Sequence, residues 1–75
     1  MDEGYILSNK YRRAIFDELA SGETNLERIT KKHRIVPVVA QRVVNDFIKG
    51  GILEQKGNRI VLTKKGEKLV ENIGR

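Results

Sequence analysis

Arg34 to Phe47 reads RIVPVVAQRVVNDF, and the proline in it sets the frame for the rest of the chain. Proline has no N–H to donate and a fixed φ, so Pro37 fits only the first turn of a helix and pushes Val36 into an extended conformation. A helix therefore begins at Pro37, and Gly50-Gly51 ends it. At about 100° per residue, with Ala40 set inward, Val44 and Phe47 fall within about 40° of it and form a buried stripe. Val43 and Ile48 lie on the shoulders of that stripe and Val39 on its border. The opposite face carries Val38, Arg42, Asn45 and Lys49, with Gln41 at its edge. A helix that opens on valines thus turns only Val38 plainly outward.

Upstream, Ser8 or Asn9 can cap a first helix whose apolar face is Tyr11, Ala14, Ile15, Phe16 and Leu19, and Ser21-Gly22 stops it. The preceding Gly4-Tyr5-Ile6-Leu7 reads as extended. Thr24 and Glu27 form T-x-x-E, a capping box that starts a second helix, burying Leu26 and Ile29 and running to about His33. His33 closes that helix, where a cation or a donor suits the free carbonyls.

Downstream the period changes from helical to alternating. Ile52–Lys56 and Arg59–Thr63 flank Gly57-Asn58, a dipeptide that supplies positive backbone angles for a two-residue hairpin turn. Thr63 can then cap a last helix carrying Leu69, Val70 and Ile73.

The 75 residues contain no Cys and one His, which excludes disulfides, Cys-based zinc sites and His clusters. They form one domain, residues 1–75, too small for a deep cleft beside a core. No phosphate-cradling Gly-rich loop, nucleophile elbow or paired metal-ligand motif occurs, so we expect no enzyme, metal, cofactor or small-molecule ligand. There is no apolar run of membrane-span length and no signal-peptide pattern at the N-terminus, and a cytoplasmic location is expected. The Lys/Glu-rich, Cys-free composition with one Met suits a thermophile.

The net charge of +5 is unevenly placed: Arg28 to Lys65 carries +8 and the remainder −3. Such asymmetry suits a polyanion, because bases that neutralise phosphates release counterions and so drive association. It is also what a solvated Lys/Arg surface would show.

The order helix, helix, tight turn, helix, hairpin, helix resembles a winged helix-turn-helix domain of the kind found in MarR-like, ArsR-like and small archaeal transcriptional regulators. The residues that carry the likeness run from Thr24 to Val70; Gly50-Gly51-Ile52-Leu53 after the third helix and LTKKGEKLV, Leu62 to Val70, after the hairpin are the most diagnostic. The resemblance implies an α+β, mostly α fold with a three-helix core, a β-hairpin wing and a C-terminal helix. It also implies binding of duplex DNA, with helix 37–50 in the major groove and hairpin 52–62 as the wing.

On that expectation Val38, Gln41, Arg42 and Asn45 have the chemistry of base readout. Arg can pair with guanine O6 and N7, Asn or Gln with adenine N6 and N7, and Val38 can meet a thymine methyl. Lys49, Arg34, Arg28, Lys31 and Lys32 are candidate phosphate contacts. Lys56, Asn58 and Arg59 at the hairpin tip can grip phosphates or a minor groove, although bases also protect exposed hairpin edges. A second reading is a protein-interaction module docking through Val36, Val38 and Val39. A weak homodimer is expected, formed through the N-terminal segment Met1–Leu7, the first helix or the last helix with Glu71–Arg75.

Overall fold

The computed structural model describes residues 2–73. Its elements are α1 (Glu3–Leu7), α2 (Lys10–Ala20), α3 (Leu26–His33), α4 (Pro37–Lys49), β1 (Leu53–Lys56), β2 (Arg59–Leu62) and α5 (Lys64–Ile73). The chain is α+β and mostly helical, with a two-stranded antiparallel hairpin. Met1, Gly74 and Arg75, which belong to the terminal segments expected to carry a dimer contact, lie outside the described residues.

Two local expectations are corrected at helix starts. Residues Gly4 to Leu7 are helical rather than extended, because the Asp2 carboxylate accepts the Tyr5 N–H at 3.0 Å and so caps α1. Arg12 fastens this short helix to α2, stacking 3.8 Å from the Tyr5 ring centroid and donating to the Tyr5 carbonyl at 3.0 Å. Asn9 caps α2, accepting from Tyr11 and Arg12 N–H groups at 2.8 and 3.1 Å. The expected Thr24/Glu27 capping box does not form. Asn25 caps α3 instead, accepting from the Arg28 N–H at 3.1 Å. Thr24 is drawn out of the helix because its carbonyl binds the Ile60 N–H of β2 at 2.9 Å.

Between α3 and α4 the turn is Arg34, Ile35 and Val36. Arg34 sits in the left-handed region at φ 54°, Ile35 is buried between the two helices' ends, and Val36 is extended as Pro37 requires. The Val36 carbonyl accepts from both Val39 and Ala40, so α4 starts without a side-chain cap.

The hairpin pairs Leu53 with Leu62 and Lys56 with Arg59. Its two-residue turn takes a positive φ at Gly57 (61°) but not at Asn58, the pattern of a turn with glycine at its first central position rather than one needing both angles positive. Thr63 caps α5 as expected, accepting from the Gly66 N–H at 3.2 Å, and its hydroxyl also donates to the Gly51 carbonyl at 2.6 Å. Gly66 lies against the Ile52 carbonyl, so closely that a Cβ there would meet it at 2.2 Å.

The core joins all of these elements. Phe16 of α2 and Phe47 of α4 meet edge to face, centroids 6.4 Å apart, surrounded by Ile6, Ile15, Ile29, Val44, Ile52 and Leu53. Among the described residues no polar or charged side chain is buried. Leu69 is in the core, with Val70 and Ile73 packed partly against it. Ile48, expected on a core shoulder, is instead 37% exposed.

Candidate nucleic-acid interface

Because Ala40, Val44 and Phe47 are fully buried and Val43 nearly so, the angular phase of α4 is fixed. The residues on its other side must then face solvent. Val38 is 63% exposed, and Gln41, Arg42, Asn45 and Lys49 are all exposed. Val39 is half-buried, which leaves Val36 and Val38 as the outward apolar residues of this end.

On that face Gln41 Nε2 donates to Asn45 Oδ1 at 3.0 Å, one helical turn apart. The pairing holds two flexible side chains together, typically worth about 0.2–0.5 kcal/mol, and leaves Gln41 Oε1 to accept and Asn45 Nδ2 to donate. The side chains of Arg42 and Lys49 have no hydrogen bond or ion pair to any described residue. Their donors are free for an outside partner.

The cations expected on α3 divide into two groups. Arg28 and Lys31 are exposed, with no side-chain partner among the described residues. Lys32 is turned to Glu18 of α2 at 2.9 Å, and His33 Nε2 reaches the same carboxylate oxygen at 2.7 Å. Hydrogen bonds from Lys32 and then His33 hold the Glu18 carboxyl below its ordinary value, against an opposing effect of burial. This triad fixes α2 to α3, so Lys32 is partly committed inside the molecule before any phosphate arrives. No spacing rule connects Glu18 with Lys32.

At the hairpin, Lys56 makes only a loose pair with Glu54 at 3.8 Å, while the side chains of Asn58 and Arg59 are exposed and without a partner among the described residues. Lys65 donates to the Gly50 carbonyl at 3.1 Å, against the end of α4. The twelve candidate positions thus occupy three surfaces, α4, α3 with its turn, and the hairpin tip, and no hydrogen bond or ion pair among described residues links one surface to another.

The chain matches no family model, no curated protein and no solved structure. Its own geometry therefore carries the functional argument. Among the described residues no helix is long and apolar enough to cross a membrane.

Two features near these surfaces are not legible in the sequence. The Tyr5 hydroxyl approaches Asp46 Oδ2 at 3.4 Å, tying the N-terminal helix to the flank of α4. Arg34 occupies the left-handed position that glycine or asparagine usually fills at a helix end, at a cost of about 1 kcal/mol for a residue with a Cβ.

Proposed function

We propose that this protein binds duplex DNA as a winged helix-turn-helix module, probing the major groove with α4 and using the β1–β2 hairpin as its wing. The observation that carries the reading is the outward face of α4. The side chains of Arg42 and Lys49 are unpaired there, Gln41 and Asn45 are joined, and Val38 is bare, over a helix whose opposite side buries Ala40, Val43, Val44 and Phe47 in the core. The free acceptor of Gln41 and the free donor of Asn45 match the N6 donor and N7 acceptor of adenine, and Arg42 suits guanine. Arg28, Lys31 and Arg34 add phosphate contacts beside it, and the local charge of +8 supplies the long-range attraction. A role as transcriptional regulator and a weak homodimer are part of the same proposal, since a two-fold pair is the usual reader of a palindromic site.

The test is a titration with duplex DNA across a range of salt. Binding should weaken steeply as salt rises. Arg42→Ala should cost about 1–3 kcal/mol if it reads a base, and Lys68→Ala on α5 should cost little. Absent or salt-insensitive binding, or equal losses in the two variants, would reject the proposal.

A second reading is favoured by one observation: Val36 and Val38, 59% and 63% exposed, lie two residues apart at the start of α4. An apolar pair of this kind can dock a protein partner. Self-association or partner binding that depends on these two valines, with DNA affinity unaffected by them, would select that reading.

A further inference from the structure

The first turn of α2 and the end of α3 border an open cavity lined by Lys10, Tyr11, Ala14, His33, Arg34 and Ile35. Three of these six carry a cation or an imidazole, one carries a phenol, and none is acidic. From this convergence we infer that the cavity is a phosphoryl-oxyanion site, with Lys10 and Arg34 as its charged donors.

Four observations support the assignment. Lys10 is not spent on any carboxylate; its ammonium lies 5.2 Å from the centroid of the Tyr11 ring, at the cavity wall. Arg34 likewise has no side-chain partner among the described residues. His33 has Nε2 directed to Glu18 at 2.7 Å, which leaves its other ring nitrogen without a hydrogen bond to a described residue. The neighbouring acid, Glu18, is engaged by Lys32 at 2.9 Å and His33 at 2.7 Å and makes no ion pair with Lys10 or Arg34.

Arg34 itself is the strongest pointer. Its backbone is held at φ 54°, where glycine would be easier, and a strained residue that persists at a cavity wall invites a functional account. Two cations, one from the first turn of α2 and one from the turn that follows α3, with a phenol beside them, offer donors from several directions. That arrangement suits a tetrahedral, multiply charged oxyanion better than a planar monoanion. The cavity lies outside the face of α4, and Lys10, Tyr11 and His33 play no part in the proposed DNA contacts; Arg34 is shared with the phosphate contacts proposed above, and phosphate binding measured without DNA tests the site separately.

Phosphoryl oxygens could come from a nucleic-acid backbone or from a free phosphate compound, and one set of experiments separates the sources. Amide resonances of Tyr11, Arg34 and Ile35 would be followed while sodium phosphate is added to the whole protein, with sodium chloride and sodium acetate at equal ionic strength as controls. Saturable shifts with phosphate alone are expected. Lys10→Gln and Arg34→Gly should each weaken them at least about tenfold, the scale of a lost charge-assisted contact. Arg34→Gly should also melt at or above wild type, since it relieves the left-handed strain; loss of binding in a better-folded variant separates a ligand contact from a structural role. No saturation, equal response to acetate, or unchanged affinity in both variants would overturn the inference.

A short duplex then identifies the source. Duplex binding weakened by both variants and competed by phosphate assigns the oxyanion to a nucleic-acid backbone. Duplex binding indifferent to both assigns it to a free phosphate compound. Arg42→Ala should leave the phosphate titration unchanged in either case. Wild-type protein that binds phosphate but no duplex would reject the DNA reading while leaving this site intact.

Discussion

Gly66→Ala pits two opposite effects against each other at the junction that holds the hairpin to α4. Alanine is a better helix former than glycine by about 1 kcal/mol, which alone would stabilise α5. The added Cβ, however, would sit 2.2 Å from the Ile52 carbonyl oxygen and 3.0 Å from Leu62 Cδ2. The first is more than an ångström inside normal contact and involves backbone, so α5 or the Gly50–Ile52 turn must move. That carbonyl also accepts the Thr63 N–H at 3.1 Å, and the Thr63 hydroxyl donates to Gly51 at 2.6 Å, so movement strains both bonds. Overpacking costs about 1–3 kcal/mol and each lost hydrogen bond about 1 kcal/mol. After subtracting the helix gain, the net is a destabilisation of about 2–4 kcal/mol. At about 4–8 °C per kcal/mol for a domain of this size, the melting temperature should fall by at least about 8 °C. Gly4→Ala is the matched control: its Cβ would meet nothing nearer than Asp2 Oδ1 at 3.6 Å, so thermal unfolding should be unchanged or slightly raised. A Gly66→Ala protein melting at or above wild type would show that the packing argument is wrong.

Three further outcomes are expected. Val38→Ser should melt within a few degrees of wild type, because a side chain already 63% exposed forfeits under about 1 kcal/mol of burial; DNA affinity should drop by up to about fivefold if it meets a thymine methyl, and a large fall in melting temperature would show that the face is misassigned. Asn25→Ala should cost about 1 kcal/mol, the usual value of a lost N-cap, while Thr24→Ala should cost much less; equal losses in chemical denaturation would restore the capping box. Glu18 has its carboxyl held below the ordinary 4.5 by Lys32 and His33, so it contributes stability above that pH and loses the contribution as pH falls through the lowered folded-state value. Glu18→Gln should therefore flatten the acid end of a stability–pH curve, and an unchanged slope below about pH 4.5 would count against the triad.

Most of the element order is legible in the chain's residues alone, because the signals are local. Pro37 admits only a helix start, Gly57-Asn58 only a tight turn, and the Ala40, Val44, Phe47 spacing fixes which side of α4 is buried. The same phase makes the outward set of Val38, Gln41, Arg42, Asn45 and Lys49 legible in the sequence alone. Tertiary contacts decided the rest. Thr24 and Asn25 are both competent caps, and the choice fell to Asn25 because a carbonyl–strand bond to Ile60 holds Thr24 outside the helix. Ile48 lost its place in the core because its neighbours left that shoulder uncovered. Lys32 changed from a free base into a partner of Glu18, and Lys10 came to share a cavity with Arg34, 24 positions along the chain. Helical periodicity shows which way a side chain points on its own element, but not which element lies opposite, and the electrostatics of these surfaces depend on that second fact.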